Sequence, residues 1–226
     1  MRDAGASRRL WAAVGAAHED CARRPQCISP DCRFVGFVDC GVSLANLGIV
    51  ARLVLINGAP GSGKSTLADA LAQRAPLSLA LDIDQIKHAL GGWEEDPNAS
   101  GLHARRLALA IADEQLASGR DVFVGQYLAR TDFIEALQDF AVRRSASFHE
   151  FILDLDIEHL ALRLAGRADF PSRPEHTING RLVGPGDSAR LVQSLADLRA
   201  SRPAAIWVDA NGTPERTLAA IVAALG

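Results

Sequence analysis

Three features that this chain of 226 residues lacks restrict what it can be. It has no apolar run of the roughly 20 residues that cross a bilayer, so no membrane partner is expected. It has no excess of positive charge, because 27 Asp and Glu outnumber 24 Lys and Arg, so no broad nucleic-acid surface is expected. No cysteine follows Cys40, which is typical of a reducing compartment and predicts a cytoplasmic protein.

The first 50 residues also lack a sustained hydrophobic period. They contain all four cysteines, Cys21, Cys27, Cys32 and Cys40, separated by five, four and seven residues, so no C-x-x-C step favours zinc. We expect residues 1–50 to be a disordered extension or the result of a mis-assigned start. The second interpretation arises because Met1 is the single methionine and Val50, a possible GTG start codon, directly precedes the first predicted strand.

The chain does contain one complete phosphate-binding motif, G-x-x-x-x-G-K-[ST] followed by Thr. Its residues are Gly58, Ala59, Pro60, Gly61, Ser62, Gly63, Lys64, Ser65 and Thr66. The apolar run at 51–57 before it predicts a buried strand, and the apolar spacing at 67–74 after it predicts a helix. This context indicates a P-loop that binds a nucleoside triphosphate.

Each part of the motif has a physical role. The glycines adopt backbone angles closed to other residues, so that successive N–H groups point into one concavity. The following helix adds its unpaired N–H groups and the positive end of its dipole. We expect Lys64 to reach the β- and γ-phosphates, and the Ser65 hydroxyl to ligate Mg²⁺.

The rest of the chain alternates between predicted strands and helices. The strands are 77–84, 121–125, 148–155 and 204–209; the helices are 85–90, 102–118, 131–144, 157–167 and 187–199, with a last one capped by Thr213. This alternation predicts right-handed crossovers, a parallel sheet covered on both faces, and a ligand site at the carboxyl ends of the strands.

Two acids end the second predicted strand. If that strand continues through them, Asp82 and Asp84 point to the same side, because the strand period is two. Asp82 would then be a structural acid or belong to the Mg²⁺ shell, and Asp84 would accept the proton of a substrate hydroxyl. The alternative is that Asp84 only caps the helix that starts at Gln85.

Other polar residues follow the strand ends or the later helices. Gln126 and Arg130, after the third strand, and Trp93, in the loop before the long helix, are candidates for substrate binding. Trp93 would stack on a substrate or simply pack on the domain. Arg105 and Arg106 could bind an anionic acceptor, but adjacent helical residues do not share a face, so at most one points inward.

A group of arginines lies near an irregular loop. Arg163 and Arg167 are one helical turn apart and Arg173 follows in Pro171–Pro174. They would close over the phosphates and neutralise charge in the transition state. The alternative is a solvated helix end beside a loop.

The chain resembles the P-loop small-molecule kinases over residues 51–226. The resemblance rests on the P-loop, the Asp82-Ile83-Asp84 pair, the Arg130 region and Leu160–Arg167. Members of this family include gluconate kinase, shikimate kinase and chloramphenicol phosphotransferase, within the broad AAA-domain set. The resemblance implies a three-layer α/β P-loop NTPase sandwich with strand order 2-3-1-4-5, ATP with Mg²⁺, and an arginine-bearing lid around residues 163–186. It also implies a base-binding turn at Asn211.

One position departs from that pattern, because Gly125-Gln126 stands where many P-loop enzymes carry an acid after the third strand. We expect Asp82 to complete the metal shell instead.

The leading hypothesis is an ATP-dependent phosphotransferase acting on a hydroxyl of a small molecule. The alternatives are a regulatory ATPase without an acceptor, or a nucleoside or polynucleotide kinase. The sequence leaves the oligomeric state open.

Overall fold

The computed structural model describes residues 50–169 and 183–226, without the side chains of 167–169. The strands are β1 (Arg52–Asn57), β2 (Leu79–Leu81), β3 (Val122–Gln126), β4 (Ser147–Asp154) and β5 (Ile206–Asp209). The helices are α1 (Lys64–Ala72), α2 (Ile83–His88), α3 (Pro97–Ala117), α4 (Asp132–Arg143), α5 (Ile157–Asp169), α6 (Ser188–Ala196), α7 (Leu198–Ser201) and α8 (Pro214–Leu225). A 3₁₀ turn at Pro185–Asp187 precedes α6.

The five strands form one parallel sheet in the order β2-β3-β1-β4-β5. This confirms the predicted order 2-3-1-4-5. The central strand β1 pairs with β3 on one side and with β4 on the other. Because the strands are parallel, the loops that follow β1, β2 and β3 emerge at one edge of the sheet.

The core lies on both faces of the sheet. The four consecutive residues Leu53–Ile56 are fully buried, and in a strand such neighbours point to opposite faces. Helices therefore cover both sides, as in the predicted three-layer sandwich. Each such side chain contributes roughly 1.5–3 kcal/mol by leaving water.

The second predicted strand was wrong in its extent. β2 ends at Leu81, and Asp82 is the N-cap of α2, with its carboxylate accepting hydrogen bonds from the backbone N–H of Asp84 and of Gln85. Asp84 therefore lies in the first turn of α2, not on a strand. The prediction that both acids point to one side of a continuing strand fails because a capping carboxylate stabilises the helix start.

Two helices also differ from their predicted bounds. α3 begins at Pro97 instead of residue 102, because Asp96 caps it and proline fits the first turn. The predicted helix 187–199 is divided at Asp197, and Asp187 ends the 3₁₀ turn and accepts from the Gly184 N–H instead of capping α6.

Several predicted segments lie outside the described residues. These are residues 1–49 with the four cysteines, and 170–182, which include Arg173 and most of the predicted lid. Along the described parts of the chain, the helices are all too short or too polar to cross a bilayer.

Candidate active site

The phosphate loop occupies residues 58–63 between β1 and α1, and Lys64, Ser65 and Thr66 open α1. Gly61 and Gly63 have φ angles of 85° and 92°, in the left-handed region that favours glycine. The Ser62 N–H donates to the Ala59 carbonyl at 3.0 Å, which folds the loop back on itself. The loop therefore has the backbone conformation that a phosphate cradle requires.

A buried asparagine holds the start of this loop. Asn57, at the end of β1, is fully buried. Its side chain donates to the Leu128 carbonyl at 2.8 Å and accepts from the Leu128 N–H at 2.9 Å. This pair fixes the end of β1 to the segment that follows β3. Sequence reasoning missed this role, although an asparagine ending an apolar strand is a visible signal.

The polar groups of the loop fit a phosphate ligand. Ser62 is 2% exposed, and its Oγ has no hydrogen-bond partner among the described residues. A buried hydroxyl without a partner is costly, so a ligand oxygen or a water is the expected complement. At Gly58, any Cβ would lie 2.5 Å from that Oγ, so the loop closes tightly over it.

The metal-binding candidates meet beside the loop. The Ser65 hydroxyl donates to Asp82 Oδ2 at 3.1 Å, while Asp82 Oδ1 accepts the capping bonds at the start of α2. Both groups offer the oxygen ligands that Mg²⁺ prefers, so this pair fits the cation implied by the motif. No cluster of three or more His, Cys, Asp or Glu suited to a metal occurs among the residues that the structure describes.

Asp84 is half-buried and lies two residues after Asp82, in the first turn of α2. No described side chain forms a hydrogen bond or ion pair with its carboxylate. Lys87 and His88 lie three and four residues further on, on the same face of α2. A carboxylate without a partner among the described residues, two residues from the acid that hydrogen bonds to Ser65, can accept a proton from a bound hydroxyl.

The packing around Gly125 explains why this position of β3 does not carry the acid that many P-loop enzymes have after the third strand. A Cβ on Gly125 would lie 3.1 Å from the Lys64 carbonyl oxygen and 3.2 Å from Ser65 Cα. The first turn of α1 therefore packs directly on this glycine. An acidic side chain at position 125 would displace Lys64 and Ser65, so that position does not supply the carboxylate. Asp82 lies within hydrogen-bond distance of Ser65.

Gly125→Ala is expected to destabilise the fold by about 1–3 kcal/mol and to weaken ATP binding, because the added methyl group pushes the first turn of α1. Thermal unfolding and calorimetric titration with Mg²⁺ and ATP measure both effects. Gly101→Ala is the matched control, since a Cβ there meets open space on α3 and should be neutral or stabilising. Unchanged ATP binding by Gly125→Ala would contradict the steric explanation.

Gln126 and Trp93 have different surroundings. Gln126 is half-buried, and its Oε1 is buried without a partner among the described residues, so a substrate donor fits it. The Trp93 ring contacts His88, with centroids 4.5 Å apart, and the Lys87 ammonium lies 5.2 Å from its centroid. These contacts hold Trp93 against the last turn of α2.

Three arginines on the acceptor side differ in exposure. Arg130 is exposed. Arg105 is half-buried with its guanidinium 4.9 Å from the Phe133 ring, whereas Arg106 is exposed. The two adjacent side chains thus differ in exposure, and the binding of an anionic acceptor by one of them stays a prediction.

The other predicted nucleotide-binding residues lie beyond β4 and β5. Arg163 donates to backbone carbonyls of the phosphate loop and of the turn after β5. Asn211 uses its side chain within that turn, accepting from the Asp156 N–H and donating to Asp209. The N–H and side chain of Asn211 hold the pKa of Asp209 below its usual range. Arg167 lies in α5, but its side chain is outside the described atoms.

Comparison with known proteins gives one family match. The model of the AAA domain matches residues 53–181, which is more than half of the chain. No curated protein sequence matches significantly.

Solved structures show the same fold. The chain is similar to a gluconokinase from Sinorhizobium meliloti, with 20% identity and a TM-score of 0.50, covering 78% of this chain and 96% of that one. It is similar to a shikimate kinase from Bacteroides thetaiotaomicron, with 19% identity, TM-score 0.53 and coverages of 78% and 98%. A Deinococcus radiodurans tunicamycin resistance protein has 22% identity, TM-score 0.52 and coverages of 77% and 95%. At these identities the likeness concerns the fold.

Proposed function

Because this chain belongs to the AAA domain family and has the fold of the P-loop small-molecule kinases, we propose that it transfers the γ-phosphate of ATP to a hydroxyl of a small molecule, with Mg²⁺. We assign this activity to residues 51–226. Both the family and the fold agree with the resemblance seen in the sequence.

One observation carries the proposal: the Asp84 carboxylate is half-buried and has no described partner, two residues after the Asp82 that hydrogen bonds to Ser65. An acid in this place serves an acceptor hydroxyl that arrives at the phosphate loop. The glycine at the end of β3 is less suited to a hydrolytic ATPase, which commonly places an acid there. The observation therefore favours transfer over hydrolysis.

Each residue has a defined part in the reaction. Lys64 and the backbone N–H groups of the loop would hold the β- and γ-phosphates. Ser65 and Asp82 would hold Mg²⁺, which neutralises phosphate charge when bound. Asp84 would take the proton of the acceptor hydroxyl as its oxygen bonds to the γ-phosphorus. The bond between that phosphorus and the β–γ bridging oxygen breaks, and ADP leaves with the electron pair.

The positive charge over the phosphates would come from Arg167 and Arg173, which remain predictions. Gln126 and Arg105 would bind the acceptor from the β3 side, and Trp93 would bound its pocket from the α2 side. The turn at Asn211 would bind the adenine through backbone groups. The acceptor would be a small molecule, and ATP is the phosphate donor that the resemblance to this family implies.

The proposal predicts acceptor-dependent release of ADP. Purified protein with Mg²⁺ and ATP is tested against sugar acids, sugars, nucleosides, aminoglycosides, chloramphenicol-like alcohols and short DNA and RNA oligonucleotides with free 5′ hydroxyls. A small alcohol that stimulates ADP release and gains one phosphoryl group by mass spectrometry supports the proposal. ATP hydrolysis that no compound stimulates would indicate a regulatory ATPase, and phosphorylation of oligonucleotides alone would indicate a polynucleotide kinase.

A further inference from the structure

We infer that Tyr127 is a positioning residue for phosphoryl transfer: through Ser194 of α6, its hydroxyl fixes residues 126–128, over which the acceptor would lie. The inference rests on the proposed function, because it presupposes an acceptor between Asp84 and the phosphate loop. Tyr127 is the single tyrosine of the chain, and no step of the proposed reaction involves it directly.

Residues 126–128 emerge between the phosphate loop and the two acids of α2. In the sheet, β3 stands between β2 and β1, and the three strands run in the same direction. Gln126 is level with Asn57, which directly precedes the phosphate loop, and β2 ends on the other side of β3, directly before Asp82. An acceptor whose hydroxyl meets both Asp84 and a γ-phosphate in the loop would therefore lie over the end of β3.

Tyr127 and Ser194 form a hydrogen-bond chain between this segment and α6. The Ser194 hydroxyl donates to the Leu191 carbonyl, three residues earlier in α6, at 2.7 Å. Since a serine hydroxyl has a single proton, the Tyr127 O–H is the donor to Ser194 Oγ, at 2.8 Å. The two hydroxyls thus have fixed roles, and they tie the residue next to Gln126 to a helix that lies 67 positions further along the chain.

The rest of the segment has restraints that do not involve this hydroxyl. The Asn57 side chain bonds to both the N–H and the carbonyl of Leu128, and the Tyr127 ring packs against the hydrophobic core. Loss of the hydroxyl alone should therefore leave β3 and the ring in place. It should release residues 126–128 from α6, so that Gln126 no longer has one fixed position above the sheet edge.

Tyr127→Phe keeps the ring and removes the hydrogen bond. We expect the KM for the acceptor to rise by about 3- to 10-fold, the effect of one neutral hydrogen bond, while kcat and the Kd for ATP stay within about twofold. Gluconate, shikimate and chloramphenicol are tested first as acceptors, and the compound of the acceptor screen that most stimulates ADP release is used for the kinetics. Calorimetry in Mg²⁺ gives the Kd for ATP.

Ser194→Ala removes the other partner of the same bond. It should raise the acceptor KM as Tyr127→Phe does, and the double variant should be no worse than either single variant. Ser201→Ala is the matched control. The Ser201 hydroxyl also donates to the carbonyl three residues earlier, that of Leu198, at 3.2 Å, but the described residues offer it no partner in another element. This variant should leave the acceptor KM unchanged.

Hydrogen exchange followed by mass spectrometry measures the restraint without any acceptor. Peptides that contain residues 126–128 should exchange faster in Tyr127→Phe and in Ser194→Ala than in the wild type, whereas peptides of the phosphate loop should be unchanged. Ser201→Ala should leave both sets of peptides at their wild-type rates. Melting curves identify any variant that fails to fold, and the two single variants each test the bond alone.

Four results would overturn the inference or its premise. An unchanged acceptor KM in Tyr127→Phe would leave Tyr127 with a structural role only. Single effects that multiply in the double variant would show that the two hydroxyls act independently. Equal losses of acceptor and ATP affinity would indicate a general loosening of the fold. A wild-type protein that phosphorylates no compound of the acceptor screen would refute the proposed function itself.

Discussion

Asp84→Asn is expected to lower phosphoryl transfer by about 100- to 10,000-fold, the usual contribution of a general base, while ATP affinity changes by less than about threefold. The amide keeps the shape of the side chain but cannot accept the proton of the attacking hydroxyl. ATP affinity survives because the phosphate loop, Lys64 and Ser65 are untouched. Transfer is measured with the acceptor that stimulates ADP release, and affinity by calorimetry.

Asp82→Asn is the matched control for this result. Asparagine also caps helices, so α2 should keep its start, but the loss of charge beside Ser65 should raise the Mg²⁺ concentration needed for activity. The two neighbouring acids would thus separate into one that sets the rate and one that sets the metal requirement. Unchanged transfer by Asp84→Asn would remove Asp84 as the base.

The fold was predictable because its signals are local and repeated. The alternation of apolar runs with helical spacing predicts a parallel sheet, and the complete motif at 58–66 identifies the loop after the first strand. Chain order and handedness leave few topologies, and the observed β2-β3-β1-β4-β5 is the one that the resemblance implies.

The errors occurred where a side chain competes with the strand pattern. The segment 77–84 alternates well enough to suggest one strand, yet Asp82 binds the backbone of Asp84 and Gln85 and starts a helix. Asp96 before Pro97 is the same kind of signal, and it was missed in a stretch that looks like a polar loop. In both cases a single carboxylate satisfies N–H groups that a helix start leaves unpaired.

The features that could not be predicted depend on contacts distant in sequence. Arg163 and Ser62 are 101 positions apart, and Asn57 and Leu128 are 71 positions apart. The need for glycine at 125 arises from the backbone of α1, which no pattern around residue 125 reveals. The sequence indicates which residues gather at the sheet edge, whereas hydrogen-bond geometry decides what each one does there.

Arg202→Leu is expected to destabilise the fold by about 3–5 kcal/mol at neutral pH, because it leaves a buried carboxylate without its partner. Glu150 on β4 has a side chain only 3% exposed. Arg202 Nε donates to its Oε2 at 2.9 Å, and Arg202 Nη2 lies 2.8 Å from the same oxygen in an ion pair. The other oxygen, Oε1, is buried with no partner among the described residues. Arg202 therefore carries most of the compensation for this charge.

The loss should depend on pH in a defined direction. Burial raises the pKa of Glu150 above its ordinary 4.5, although Arg202 lowers it through a hydrogen bond and its charge. Without Arg202 the folded-state pKa rises further, so the carboxylate destabilises the variant most above that value. As the pH falls below the pKa of Glu150 in the folded variant, Glu150 becomes protonated. The loss of unfolding free energy caused by Arg202→Leu then shrinks. Urea unfolding from neutral pH down to about pH 4 measures this trend.

Two variants decide whether charge or packing causes the effect. Arg190→Leu removes an arginine whose side chain is 65% exposed, and it should cost less than about 1 kcal/mol. Adding Glu150→Leu to Arg202→Leu should recover much of the lost stability, since an apolar pair replaces an unpaired charge. If the double variant is as unstable as Arg202→Leu, or if the deficit is independent of pH, the loss comes from packing, which would include the Arg202 contact with Gln138. Recovery in the double variant together with a deficit that grows as pH rises would assign it to the uncompensated carboxylate.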